Sequence, residues 1–413
     1  MTVGFMRDQF HPTRAAKNWP SYSATAARHV RGWGQLPTME QLQSLLDALI
    51  QLYNSEIMKV SFDDRPRGNS VMMAHGELAV RLGGLHSDGF SVFSIEPAVR
   101  DMLKKTSLAG VRLGDLKPLF PRFYVGFEGG TGIFFGSEER ESAWEVDGAY
   151  VDLRSVDPTD GRIRVEVCLT TKDRLSALKP GYFEHWPLQW EPHYTLNMMG
   201  ADDQTFAEAL GFAIDSGEIT LELDVDRDDA FRAGIVDTQP EAMAHGIELV
   251  APERSGYERS ADFNKQNLGP ARDALALVLG VLCALSDESG MMEHHEDVWP
   301  SDTPTRSLDS LHAAKTPKAR RNAAADLKRQ GFSSVRRIVL GEDVLRRASR
   351  GGADHNNSGR SAHWRAGHFR RQRHGTGLEL VKIIWIMPQF IGTAGEDGPA
   401  GRLYKVVKGT GRE

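Results

Sequence analysis

From Arg122 to Thr170 the chain reads RFYVGFEGGTGIFFGSEERESAWEVDGAYVDLRSVDPTDGRIRVEVCLT. Four runs inside it, FYVGFE, TGIFFG, AYVDLRS and RIRVEVCLT, are rich in β-branched and aromatic residues, and glycine, aspartate and proline separate them. Such side chains pack well on a pleated surface, and the separators turn the chain. The pattern predicts an antiparallel meander.

Working outward, Tyr194 to Met199 and Glu218 to Val225 read as further strands, with a helix from Asp203 to Asp215 that ends at Gly217. Upstream, Thr38 and Gln41 form a capping-box pattern, and Leu42, Leu45, Leu46, Leu49, Ile50, Tyr53, Ile57 and Val60 follow a 3.6-residue period. A short helix is predicted from Glu96 to Lys105, with Ser94 as its cap and Pro97 in its first turn. The first 36 residues show no period and predict nothing.

Downstream, Pro270 to Asp287 is the most apolar helical segment, with Leu275, Val278, Leu279 and Leu282 leaving little polar face, and it predicts the central core helix. An irregular acidic loop from Glu288 to Thr305 follows, then a basic, alanine-rich helical stretch from Ser307 to Gln330 and a strand from Ser334 to Leu340. GGADHNNSGRS, residues 351–361, has the composition of a flexible linker. LVKIIWI, from Leu380 to Ile386, is a strand closed by Pro388. Helices and strands fall in blocks, which predicts an α+β fold rather than a doubly wound parallel sheet. The expected architecture is an antiparallel sheet with packed helices and a basic C-terminal strand-containing module. The expected division is an α+β body over 1–300 and that module over 301–413, with the linker near 351–361.

Length and composition set the class. At 413 residues, 40% hydrophobic and 26% charged, the chain can bury the cores of two domains and has the make-up of a soluble protein. Its formal charge of −6 is uneven. Between Ser301 and Lys382 there are 18 Lys/Arg against 7 Asp/Glu, an excess of +11 that leaves −17 elsewhere. The two cysteines, Cys168 and Cys283, lie far apart in apolar runs and suit neither a disulfide framework nor a zinc site. MTVGFMRDQFHP has no secretory apolar core, and the apolar run Ala274 to Leu285 is too short for a bilayer core of roughly 30 Å. These features predict a cytoplasmic protein with no membrane partner.

Charge and aromaticity concentrate in RSAHWRAGHFRRQRHGTG, Arg360 to Gly377, which holds three histidines and five arginines. Cations and planar rings together suit a phosphate backbone or a carboxylate-bearing partner. His363, Trp364, Arg365, His368, Arg370 and Arg371 are therefore the candidate nucleic-acid or ribosome contacts. His363 and His368 have an H-x4-H spacing, but no carboxylate lies between Arg360 and Leu378, and Arg365 and Arg370 repel a cation. No metal and no cofactor are predicted. The same two histidines could exchange protons in phosphodiester cleavage, and a structural reading packs the rings against LVKIIWI. The HGTG glycines read as a turn before that strand.

Two other clusters are weaker. Glu293 to Glu296, EHHE, holds metal-ligand residue types, but adjacent side chains diverge, so an exposed acidic loop is the plainer reading. FEHWPLQWEPH, Phe183 to His193, places Trp186 and Trp190 in a proline-broken segment that reads either as a peptide-binding ledge or as a loop folded on the sheet. No GxxxxGK[ST], GxSxG or zinc-finger spacing is present.

The sequence His363, Arg365, Gly367, His368, His374, Gly375, Thr376, Gly377, followed by VKIIWIMPQFIG, resembles the C-terminus of a type V-A anti-CRISPR family, the second of that series to be named. Arg365, Gly367, His368, Gly375, Thr376, Gly377, Trp385 and Pro388 match its pattern. Upstream the resemblance is confined to the run from Phe120 to Gly126 and the apolar helix. The resemblance implies a protein that recognises the N-terminal peptide of a nascent type V CRISPR effector and lowers its expression through loss of the message. Trp186 and Trp190 are the candidate peptide contacts, and the basic tail is a partner for mRNA or the ribosome. The first expectation is thus a binding protein rather than an enzyme. The alternative is a histidine-dependent, metal-independent endoribonuclease, or an RNA-binding protein acting on translated messages.

Overall fold

In the computed structural model, the described residues are 4–7, 9–18, 20–33, 38–56, 69–117, 120–136, 143–156, 163–173, 193–200, 203–209, 219–222, 256–286, 295–338 and 363–391. Trp186 and Trp190, and the predicted linker over 351–361, lie outside them.

Among the described residues, a nine-stranded sheet forms the centre. Its strands are β1 (Val92–Ile95), β3 (Arg122–Phe127), β4 (Phe134–Gly136), β5 (Ala143–Val156), β6 (Ile163–Asp173), β7 (His193–Gly200), β8 (Ile219–Glu222), β9 (His295–Val298) and β10 (Val335–Ile338). They run in the order β8-β7-β6-β5-β3-β1-β10-β9, with β4 on β5. From β3 to β8 every neighbouring pair is antiparallel, as the four opening runs predict. At the centre, β1 is parallel to both β3 and β10. The fold is α+β.

Both faces of this sheet are covered, so its middle strands are buried without alternation in exposure. The alternation appears instead in what each residue touches. Phe123, Val125 and Phe127 of β3 enter the main core with Val146, Val151, Val165 and Val167. Tyr124, between them, joins Phe10 and Tyr150 on the opposite face. Gly126 is on that second face too, and a Cβ there would sit 2.2 Å from the Phe10 ring.

The main core is roofed by α6 (Gly256–Leu285), whose Leu275, Val278, Leu279, Val281 and Leu282 are buried in it. This is the predicted core helix, and it continues N-terminally past Pro270 to Gly256. The other face carries α1 (His11–Asn18), α2 (Pro20–Val30), α3 (Met39–Glu56) and α4 (Asn69–Ser87). The Thr38 capping box is present. The Thr38 N–H donates to Gln41 Oε1 at 2.8 Å, and the Gln41 N–H to Thr38 Oγ1 at 3.2 Å.

α1 has no sequence period because its inward face is polar. Arg14 pairs with Asp147 at 2.7 Å, both almost fully buried. Thr170 donates to the same carboxylate at 2.7 Å, Tyr124 and Thr170 share a 2.8 Å hydrogen bond, and His11 Nδ1 meets the Tyr150 hydroxyl at 2.9 Å. Buried polar groups persist when they are hydrogen-bonded to one another.

Three expectations are corrected. The short helix α5 (Pro97–Leu103) begins after Glu96 with no side-chain cap. Ser94 belongs to β1 and donates to Glu128 instead. The acidic loop contains strand β9, because its extended residues pair with β10 at the sheet edge. The basic helical stretch is two helices, α7 (Thr305–Ala313) and α8 (Pro317–Arg329). Thr316 Oγ1 accepts from the Ala319 N–H, and Pro317 occupies the first turn, so a new helix starts there.

Candidate nucleic-acid interface

The C-terminal segment folds as β11 (His363–Arg365), β12 (Gly367–His374), β13 (Leu380–Ile386) and β14 (Gln389–Ile391). β11 pairs with β14, while β12 and β13 make a hairpin extended by the two-residue β2 (Thr106–Ser107). The turn of that hairpin runs from Gly375 to Glu379 and contains the glycines of HGTG. Gly375 and Gly377 have φ of 79° and 74°, left-handed values at which a side chain is strained.

Pairing register sorts the hairpin residues onto two faces. Phe369 opposes Trp385 and Arg371 opposes Ile383. Phe369, Ile383 and Trp385 are buried in the main core, with the two rings stacked at 5.8 Å. Arg371, farther out on this face, pairs with the nearly buried Asp115 at 2.8 Å. The other face carries His368, Arg370, Gln372 and His374 opposite Ile386, Ile384, Lys382 and Leu380. Arg370 is exposed, Leu380 is 58% exposed, and His368, His374 and Lys382 are half-buried. Among the described residues, no carboxylate stands at any paired position of that face.

The hairpin is held tightly at its root. The Gly367 N–H donates to the Lys105 carbonyl at 3.0 Å. A Cβ at Gly367 would lie 2.7 Å from Pro388 Cδ and 2.8 Å from Thr106 Oγ1. The same Thr106 hydroxyl accepts from the Trp385 indole at 3.1 Å. Gly367, Gly375, Gly377, Trp385 and Pro388, which carry much of the motif, thus build the hairpin, while Arg365 and Arg370 stay exposed.

The predicted contacts therefore divide. Arg365, on β11, and Arg370 are exposed; His368 is half-buried on the basic face; Arg371 is engaged with Asp115. His363 and Trp364 are on β11, opposite Ile391 and Phe390, and their side chains lie outside the described residues. His363 and His368 belong to strands of different sheets. Arg373 and Lys382 were not singled out by sequence. Strand alternation through Arg370 points to Lys382 once the register is known, while Arg373, opposite Val381, is exposed on the Arg371 side of the hairpin.

Sequence reasoning also passed over Glu128 to Gly132, EGGTG, where Gly129, Gly130 and Gly132 all have positive φ. At the C-terminal ends of the parallel strands, Arg337 joins Glu96 at 2.6 Å and Glu128 at 2.9 Å. Three glycines in five residues between two strands were the available signal. Among the described residues, no group of three or more His, Cys, Asp or Glu is placed to hold a metal ion. His295 and Glu296 of the EHHE cluster lie on β9, and Glu293 and His294 are outside the described residues. No helix among the described residues is long and apolar enough to cross a membrane.

These features define an α+β protein whose central sheet and C-terminal hairpin share one core. The chain belongs to the AcrVA2-like family, the anti-CRISPR type V subtype A2 family, whose model matches residues 93–393. That match spans both the sheet from β1 onward and the hairpin. Among solved structures, the chain is similar to one titled "Crystal structure of AcrVA2", at 11% identity and a TM-score of 0.39, covering 92% of this chain and 94% of that one. No curated protein matches.

Proposed function

We propose that this protein lowers the amount of a type V CRISPR effector nuclease by binding the effector's N-terminal peptide during translation, with loss of the message as the result. In this reading it acts in the cytoplasm. The aromatic segment with Trp186 and Trp190 contributes to the peptide seat, and the basic hairpin face contacts the mRNA or ribosome.

The observation that carries the RNA contact is the one-sidedness of the β12–β13 hairpin. One face is fixed in the core, and the other holds His368, Arg370, His374 and Lys382 without a paired carboxylate. Guanidinium and ammonium groups on a flat strand surface suit phosphates rather than base edges. The expected binding is thus weakly sequence-dependent.

A salt titration tests this. If Arg365, Arg370 and Lys382 each neutralise one phosphate of single-stranded RNA, log K falls with log salt at a slope of roughly −2. A flat response removes the RNA contact. Affinity capture of translating ribosomes tests the peptide contact, with the nascent chains and attached messages identified. No enriched nascent species sinks that part. Metal-free cleavage of the RNA that disappears in His368→Ala would instead make the protein a ribonuclease.

A further inference from the structure

A second surface, away from the hairpin, carries chemistry that the proposed function does not use. The parallel strands β1 and β10 begin side by side, and α8 crosses near their N-terminal ends. Between them lies a cleft of about 230 Å³, lined by Phe90, Trp299, Lys328, Phe332, Ser334 and Arg336 among others.

Its floor is aromatic and set by an unusual backbone. Phe90 has φ of 63°, a left-handed value that a bulky residue adopts only where its surroundings impose it. Phe90 and Phe332 are buried, whereas Trp299, packed on the cluster of Leu311, Leu327 and Phe332, is half-buried. The Phe332 ring already carries Arg7, whose guanidinium lies 4.2 Å from the centroid.

Two cations line the cleft with donors to spare. The Lys328 ammonium is 5.9 Å from the Phe90 centroid, and among the described residues it has no carboxylate partner. Arg336 Nε is buried without a hydrogen bond among the described residues, and Asp297, which also lines the cleft, lies 3.7 Å from it. The Nε itself is closed to solvent, but the Arg336 side chain as a whole is 40% exposed and lines the cleft, so an incoming anion meets its exposed part. Positive charge continues beyond the cleft. Arg321, Ala324 and Lys328 follow an i, i+3, i+7 spacing on one face of α8, and Arg320 is adjacent and exposed.

We propose that this cleft binds a nucleotide unit, its planar base covering Trp299 and its phosphate held by Lys328 and Arg336. The unit is either a free mononucleotide or one residue of single-stranded RNA whose backbone continues along Arg320 and Arg321. Aromatic stacking beside a cationic track is how sequence-tolerant single-strand sites work.

The test uses the full chain, with adenosine monophosphate and a short 4-thiouridine-bearing single-stranded RNA as separate probes. Saturable binding of either probe supports the proposal if Trp299→Leu weakens it by roughly 5-fold or more and Lys328→Glu weakens it further. Photocrosslinks of the RNA within 89–93, 297–299 or 328–336 place it in the cleft. Binding of the monophosphate alone identifies a free nucleotide as the source. RNA that binds with crosslinks only over 363–386, and with undiminished affinity in Lys328→Glu, overturns the cleft site and leaves the hairpin reading standing. If neither probe binds, the cleft proposal and the hairpin's RNA contact both fall. Circular dichroism of each variant separates lost binding from lost folding.

Discussion

Trp385 donates its indole N–H to the hydroxyl of Thr106 across 3.1 Å, and that hydroxyl donates in turn to the Met102 carbonyl at 2.8 Å. One oxygen therefore ties the C-terminal hairpin to the end of α5, some 280 residues earlier in the chain. The ring itself is buried against Phe369.

Trp385→Phe should keep most of the ring packing and lose the hydrogen bond, a cost of about 1 kcal/mol. Trp385→Ala should cost about 3 to 5 kcal/mol, because it also leaves a cavity. Urea denaturation midpoints distinguish the two. Equal midpoints for the variants would remove the Thr106 link from the account.

Gly367→Ala adds a methyl where Pro388 Cδ, Thr106 Oγ1 and the Ile386 carbonyl all lie within 2.9 Å. Forced shifts of this kind cost about 1 to 3 kcal/mol. The expected result is a lower melting temperature and earlier proteolysis between β11 and β14. Wild-type stability in this variant would mean that the hairpin root is looser than the contacts imply.

The arginines of β12 should separate by function. Arg371→Ala breaks the pair with nearly buried Asp115 and should lower thermal stability. Arg370→Glu changes an exposed side chain of the basic face and should weaken RNA binding with little change in melting temperature. Melting curves and RNA titrations on the same preparations check this. RNA affinity lost only in Arg371→Ala would reverse the assignment.

Arg14 and Asp147 form a buried pair with side chains each 6% exposed. Arg14→Met leaves the Asp147 carboxylate with Thr170 but no counter-charge, a loss expected at about 3 to 5 kcal/mol. The double variant Arg14→Met with Asp147→Leu should recover part of that loss, since it removes the stranded charge as well. Chemical denaturation of the single and double variants provides the comparison.

What the sequence made legible follows from where its signals were local. The meander was readable because β-rich runs and turn residues alternate from Arg122 to Thr170, and α6 because Leu275 to Leu285 is apolar almost all round. Thr38 and Gln41 announced their helix through a contact three residues long. α1 was silent because His11, Thr13 and Arg14, which it buries, are polar, and the partners of His11 and Arg14, Tyr150 and Asp147, are more than 130 residues away. The same distance hid the split within the arginine-rich motif. Nothing near Arg371 in sequence says that Asp115 waits for it, and nothing near Trp385 names Thr106.

His86, at the end of α4, gives the protein a defined acid response. Its Nε2 is buried without a hydrogen-bond partner among the described residues, and its ring lies 4.4 Å from that of Phe90. Burial, then the nearby Lys328 charge, lowers its pKa from 6.5 to about 3. The unfolded chain therefore binds a proton that the folded one refuses between those two values. Stability is unaffected by this group above 6.5, and it falls as pH drops below that value until the folded pKa is reached. His86→Gln removes the titration, so melting temperature should decline less between pH 7 and pH 5 than in the wild type, whatever the variant's offset at pH 7. Lys328→Gln should reduce the decline only slightly, because burial is the larger cause. Parallel slopes for His86→Gln and wild type would show that His86 takes up its proton in the folded state as easily as in the unfolded one.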